Sequence, residues 1–301
     1  MMSNVQVLER TTRRVPLGLQ VWDIATATHL IEGLEIQVTS GARATGTRAA
    51  TNRSGVYYAF NVPRLQQFEL NEDDIDAWKT QRRPYKIEVR DPAGRFLPFV
   101  FDADLPIRDL MTWLTSRISP PQPFIVPSDQ SSVIQQIPLF SSVSRPVPDT
   151  LAVVRAELRE IDTNRPAAWS LLKVSIDTTV LGIGLADQKG RVAILFPYPK
   201  RSSPVLPSTP PATNAFRWDI ELTAYYTPWQ TAVPVPDALD LAYLVKQFDS
   251  PRKLIQSMEF PTQALSVQVL EYRKPLTVRT EISATKKPSS FLFVNTQPDM
   301  P

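Results

Sequence analysis

The sequence predicts an all-β chain: two β-sandwich domains joined by a proline-rich strap, with a C-terminal extension containing short helices and strands. Three observations carry that prediction. The chain holds 29 prolines against 9 glycines, and proline at about twice its usual ~5% share breaks helices while tolerating short strands and extended loops. Apolar and polar residues alternate along much of the chain, most cleanly in FRWDIELTAYY, where Phe216, Trp218, Ile220, Leu222 and Ala224 fall on one side. A turn-plus-strand unit also occurs twice, as ATNRSGVYYAFNVP at 50–63 and DQKGRVAILFPYP at 187–199. In each, a polar run ends in a glycine able to take the positive φ of a turn, and β-branched or aromatic residues follow. A proline then stops the strand because it brings no N–H to a ladder.

The elements follow in order. VPLGLQVWDI, the turn ATATH and LIEGLEIQVTS read as a hairpin, with Leu19, Val21 and Ile24 before the turn and Leu34, Ile36 and Val38 alternating after it. The repeated turn and strand come next, then LQQFEL, the polar excursion NEDDIDAWKTQRR, the strand YKIEVRD, the turn DPAG at 91–94 and RFLPFVF. This first unit, 14–104, has the length of one small β-sandwich. IRDLMTWLTSRI reads as a short helix at the head of the strap, which spans 105–148 and whose apolar anchors Phe124, Ile125, Leu139 and Phe140 predict an ordered segment lying against the domains. A second sandwich, 151–230, takes in LAVVRAELREI, a turn at 162–166, AAWSLLKVSI, the second copy of the repeated turn and the alternating strand at 216–226.

The extension, 231–301, changes period. Leu241, Leu244, Val245 and Phe248 recur at i, i+3, i+4 and i+7, which predicts an amphipathic helix; Ser250-Pro251 reads as the cap of a second short helix through Leu254, Ile255 and Met258. An apolar face after a completed sandwich predicts a partner, so Leu241, Leu244, Val245, Phe248, Leu254 and Ile255 form the expected protein interface. The strand-like tail through ALSVQVLEYRKPLTVRTEI and SFLFVNT must pair within this chain or with a neighbour.

Composition narrows function. The excess of positive charge is three, in scattered pairs such as Arg13-Arg14 and Lys286-Lys287, whereas nucleic-acid readers concentrate charge on one face. No window reaches the ~20 apolar residues of a membrane span, and 1–18 lacks the apolar core of a secretory signal, so a cytoplasmic protein without membrane insertion is expected. With no cysteine and His29 the sole histidine, the usual zinc ligands and cysteine nucleophiles are missing. His29 falls in a predicted hairpin turn, where a solvated surface residue is the plainer reading than a member of a catalytic triad. The acidic run NEDDID, 71–76, lacks the spacing of a calcium loop and reads as a helix start with Ile75 and Trp78 packing inward. GIG at 182–184 lacks the Gly-Lys-Ser/Thr of a phosphate loop and reads as glycine between strands. No catalytic residue, cofactor or metal site is predicted. Trp22, Tyr57, Tyr58, Trp169, Trp218, Tyr225, Tyr226 and Trp229 are candidates for a glycan-stacking face, with Tyr225, Tyr226 and Trp229 the best exposed set, although a core claims large rings first.

VWDIATATHLIEGLEIQV, TNRSGVYYAFNVP and YKIEVRDPAGRF together resemble the carboxypeptidase-regulatory-like, transthyretin-like β-sandwich across 14–104. That resemblance implies a non-catalytic scaffold or adhesion unit. Pro-Leu-Phe-Ser at 138–141, Arg-Pro-Ala-Ala-Trp at 165–169 and the Gly-Arg-Val turn with Phe-Pro-Tyr-Pro at 196–199 resemble a protein of phage-tail-like contractile injection systems, placed near the cap that ends sheath and tube. What this second resemblance implies is a non-catalytic structural component incorporated in a cytoplasmic particle, with cap, sheath and tube proteins as partners in a six-fold ring. A baseplate component of the same particle and a carbohydrate or cell-wall binding module are the alternatives.

Overall fold

In a computed structural model, residues 14–41, 46–70, 80–107, 110–111, 137–200, 216–229, 234–247, 250–258, 262–281 and 288–297 are described. Strands dominate them, as the proline content and alternation predict. The N-terminal sandwich is built from β1 (Gly18–Leu19), β2 (Val21–Asp23), β3 (Thr28–His29), β4 (Glu35–Thr39), β5 (Thr47–Arg48), β6 (Ala50–Thr51), β7 (Tyr57–Tyr58), helix α1 (Gln66–Leu70), β8 (Arg83–Arg90), β9 (Phe99–Leu105), β10 (Leu110–Met111) and β11 (Ile137–Leu139). One layer is β9-β8-β4-β5; the other is β10-β1-β7-β6 continued by β11-β2-β3, since only Gln20 separates β1 from β2. Alternation drives Ile36 and Val38 of β4, Tyr85, Ile87 and Val89 of β8, and Phe99 and Phe101 of β9 into the space between.

The second sandwich begins with β12 (Leu151–Glu160), β13 (Leu171–Ile176), β14 (Thr179–Leu185), β15 (Arg191–Pro197) and β16 (Arg217–Tyr225). It does not close there. The chain returns to the first sandwich, where β17 (Leu239–Asp240) pairs in parallel with β9 and helix α2 (Leu241–Gln247) inserts Leu241 and Leu244 into that core. It then crosses back as β18 (Pro251–Arg252), β19 (Leu254–Ser257), β20 (Gln263–Ala264), β21 (Gln268–Glu271), β22 (Leu276–Thr277) and β23 (Leu292–Val294). These late strands complete both layers, β15-β12-β23-β19-β20 with β22 also on β12, and β14-β13-β16-β18 with β21 also on β16.

Several expectations are thereby corrected. The segment after 231 is not an appendix to finished sandwiches, because β17 extends an edge of the first and β23 lies between β12 and β19 inside a layer of the second. Ser250-Pro251 opens no helix: Pro251 lies in β18 and Leu254 and Ile255 in β19, where β-branched and apolar residues gain a ladder on β23. Leu110–Met111, expected in a helix, pairs in parallel with β1. The first hairpin is only β2–β3; Gly33, at φ +92°, turns the chain so that β4 joins the opposite layer on β8. The remainder of 112–136 and the NEDDID run lie outside the described residues.

The repeated turn recurs three times, not twice. Asn52, Asp91 and Asp187 each accept from the amide two residues on, at 2.9, 3.2 and 2.8 Å, and from the amide four residues on, at 3.0, 2.7 and 2.9 Å. Gly55, Gly94 and Gly190 close them at φ +73°, +66° and +78°. In the two Asp-x-x-Gly-Arg copies the arginine Nε folds back on the same carboxylate at 3.0 and 2.9 Å. After the first and third copies, the next strand pairs antiparallel with the opening strand of its own unit, β7 on β1 and β15 on β12.

Candidate functional site

The residues that do most to organise the molecule sit where the two sandwiches meet. Strand β12 is buried on both faces: Ala152, Val154, Ala156 and Leu158 enter the second core, while Leu151 and Val153, with Ala193 and Leu195 of β15, close on Ala25 of the first hairpin. Val143 and Val147 of the strap cover the same seam. Beside it, Arg145 Nη1 and Nη2 donate to the two oxygens of Asp23 at 2.8 and 2.5 Å, and Nη1 also donates to Ser141 Oγ. Asp23 is nearly buried and also accepts from the Ala25 amide and the Thr26 hydroxyl, so every lone pair of this desolvated carboxylate finds a donor. The strap end is thus clasped to the first hairpin.

Trp169 makes the second half of the joint. The segment Asn164–Trp169 forms a tight loop after β12, with Asn164 and Trp169 at φ +55° and +59°. The left-handed backbone swings the indole into the first core beside Leu241 and Leu244, where it is 1% exposed. Its Nε1 donates to Pro236 O at 3.2 Å, and its own carbonyl accepts from Gln247 Nε2 at 2.6 Å, so the ring and backbone grip both ends of the returning segment. Trp229 donates to Ala168 O at 3.3 Å and stacks on Tyr243, whose hydroxyl donates to Thr227 O. Burial pushes the Tyr243 hydroxyl up to about 12. Below this, the Glu160 carboxylate accepts from Tyr226 Oη at 2.7 Å, from the Thr163 hydroxyl and from Arg165 Nε and Nη2 at 3.3 and 3.2 Å. Burial, then the bond to Glu160, raise the Tyr226 hydroxyl far above its ordinary value. It holds its proton and works as a donor.

The expected interface residues are placed differently from the sequence reading. Leu241 and Leu244 are 0% exposed, and Leu254 and Ile255 are 3% and 6% exposed, all covered by this chain. Side chains covered to this extent present almost no surface to a partner, so these four are core residues of the joint and of the second sandwich. The side chain of Val245, and Phe248, lie outside the described residues. The glycan set is also dispersed: Tyr57, Trp169 and Tyr226 are at most 1% exposed, and Tyr225 and Trp229 are half-buried against the first core.

His29 sits in β3, one residue past the turn, exposed, with its ring edge-on to Trp22 at 4.8 Å. Gly182 and Gly184 let β14 lie on β15: a Cβ on Gly184 would come within 2.6 Å of Ile194. They serve close packing. Among the described residues no group of three or more His, Asp or Glu side chains gathers as a metal would need, and no helix is long and apolar enough to cross a membrane. The joint has no signature in the sequence, because its members, Asp23, Arg145, Trp169 and Gln247, are far apart in the chain and share no local pattern. The positive φ at Trp169, the key to it, has no signature in a non-glycine residue.

The sequence matches no protein family and no curated protein. Among solved structures, a 9R-lipoxygenase from Cyanothece PCC8801 is similar over 46% of this chain and 16% of its own length, at 16% identity and a TM-score of 0.20. A streptococcal ancillary pilin is similar over 94% of this chain and 62% of its own, at 11% identity and a TM-score of 0.19. The shaft pilin SpaA from Lactobacillus rhamnosus GG is similar over 96% of this chain and all of its own, at 9% identity and a TM-score of 0.22. This chain thus spans less than two thirds of the first two, and at such scores none of the three carries an argument. The β-rich fold rests on the strands themselves.

Proposed function

We propose that this chain is a non-catalytic structural component of a phage-tail-like contractile injection particle, built in at the cap end of sheath and tube. The observation that carries the structural half is the path of the chain, which crosses between sandwiches three times, at the strap, at β17 with α2, and at the return to β18. Each crossing is fastened, by the Asp23–Arg145 clasp, by Trp169 and by the shared core. Two sandwiches held at several points form a stiff spacer, which suits a part that must carry load between neighbours. The particle itself comes from the sequence resemblance, and part of what bears it falls at the joint: Pro138 and Leu139 lie in β11, Ser141 bonds Arg145, and Trp169 plugs the first core, while Val192 and Phe196 belong to the core of the second sandwich.

The test is made on particles from the producing cells. We expect the chain to co-purify with sheath and tube proteins, to appear by cryo-electron microscopy as a six-fold ring at one end, and its deletion to yield sheaths of irregular length. Normal particles from the deletion strain, or purified particles lacking the chain, would refute the reading; a ring at the other end would make it a baseplate part.

A further inference from the structure

Strand β21 lies on the open side of β16, and the register shows which of its backbone groups face outward. Arg217 is opposite Glu271, Trp218 opposite Leu270, Asp219 opposite Val269 and Ile220 opposite Gln268; one step further, the Tyr272 amide donates to Phe216 O at 2.9 Å. Hydrogen-bonded and non-bonded pairs alternate in an antiparallel ladder. The bonded pairs are therefore 216/272, 218/270 and 220/268, and Val269 turns its N–H and C=O away from β16. Val267 has the same parity, and its carbonyl takes a long bond of 3.4 Å from Gln268 Nε2. Among the described residues no further strand pairs with β21.

The side chains on this edge are equally open. Val267 and Val269 are 49% and 47% exposed, on a strand whose next residue, Leu270, is fully buried. Across the ladder, Asp219 stands beside Val269, and Glu221, by the same register, beside Val267; both carboxylates are exposed. Glu271, at the end of the strand, is held by Arg217 and Lys274, each at 2.5 Å. The outward N–H and C=O of Val269, two alternate valines and two outward carboxylates thus share one short stretch. Free edges of this kind are usually blunted by a charge or proline, and SVQVLEY carries neither until Glu271.

We propose that β21 is a docking edge to which an extended segment of a partner protein adds as a further strand, with apolar residues over Val267 and Val269 and flanking Lys or Arg facing Asp219 and Glu221. A newcomer about 4.8 Å from β21 stands about 10 Å from β16, within the combined reach of a lysine stem and a carboxylate. A second copy of this chain is disfavoured as occupant, since pairing β21 with itself brings two acidic rows to the same face. The inference stands whether or not the chain belongs to an injection particle.

The experiment uses the full chain and two synthetic peptides, TKTVTVTKT and its glutamate counterpart TETVTVTET, read by fluorescence anisotropy and amide hydrogen exchange. In the free chain the Val269 amide should exchange at least tenfold faster than that of Leu270, which is bonded to Trp218. The lysine peptide should protect Val269 by tenfold or more and bind at least tenfold tighter than the glutamate peptide. Val269→Pro, tolerated because the lost N–H faces away from the sheet, should weaken binding at least tenfold, and the double variant Asp219→Asn with Glu221→Gln should erase the preference for lysine. A Val269 amide already protected in the free chain would overturn the proposal without any variant. So would absence of binding at millimolar peptide, equal binding of both peptides, or a wild-type dimer that Val269→Pro dissolves.

Discussion

Trp169→Ala tests the joint directly. The indole is 1% exposed among Leu241, Leu244 and the first core, and truncating a buried tryptophan to alanine costs about 3–5 kcal/mol through lost transfer energy and the cavity left behind. The bond to Pro236 O disappears as well, which adds about 1 kcal/mol. At the ~2–4 °C per kcal/mol of a large domain, the melting temperature should fall by roughly 10–20 °C. The backbone supplies an internal control. Trp169 sits at φ +59°, where a Cβ costs about 1–2 kcal/mol, so Trp169→Gly should be less damaging than Trp169→Ala despite removing more atoms. Scanning calorimetry of the isolated chain should show a single transition for both proteins, lower for the alanine variant, because the segment that docks on Trp169 goes on to complete the second sandwich. A drop under ~2 °C, or glycine worse than alanine, would refute Trp169 as the plug.

Leu244→Asp should destabilise the isolated chain by several kcal/mol, since its side chain has no exposure and the charge would be buried unpaired; deleting 236–301 should yield insoluble protein, and a soluble, cooperatively melting truncation would contradict the strand pairing. Gly94→Ala, whose Cβ would meet only Ser144 Oγ at an ordinary 3.8 Å, should cost only the ~1 kcal/mol of a left-handed alanine, while Gly190→Ala, whose Cβ would meet Leu158 O at 2.3 Å, should cost clearly more by urea unfolding; equal losses would sink the comparison. Burial opposes ionisation of Asp91, but the Arg95 side chain and the Arg95 and Ala93 amides outweigh it and hold its pKa below the ordinary value. That stabilisation is complete above the unfolded value of about 4 and is lost as pH falls through the lower folded one, so Asp91→Asn should flatten the acid limb of the stability profile, and an unchanged slope would tell against it.

How far the sequence reveals this structure depends on the range of each interaction. The three turns are legible because an Asn or Asp, two amides and a glycine lie within five residues, and the chemistry is complete in the local string. Alternation at 216–224 is legible for the same reason, with Ile220 and Ala224 fully buried and Trp218 and Leu222 half-buried, but Phe216 at the head of the strand is exposed and stacks on Tyr272. The helical period of Leu241 and Leu244 is also correct. It specifies that an apolar face exists and says nothing about what covers it; the cover here is a core begun some two hundred residues earlier, at Leu17. Ser250-Pro251 satisfies the rule for a helix cap and equally that for a short edge strand, and the backbone of Ala224–Tyr225 decides between them.

Non-local closure also explains why the apparent domain boundary misleads. The change of hydrophobic period marks a break near 230, yet Leu158–Glu160 of β12 take Leu292–Val294 as parallel neighbours, and Arg217–Ile220 of β16 take Gln268–Glu271. A parallel neighbour cannot come from a hairpin, so the long excursion through the first sandwich is one way for the chain to deliver β23 in the required direction. The same detour carries Pro236, Leu241 and Gln247 to Trp169. Completing the second sandwich and locking it to the first are therefore one topological event, and a change that frees the joint should loosen both units together.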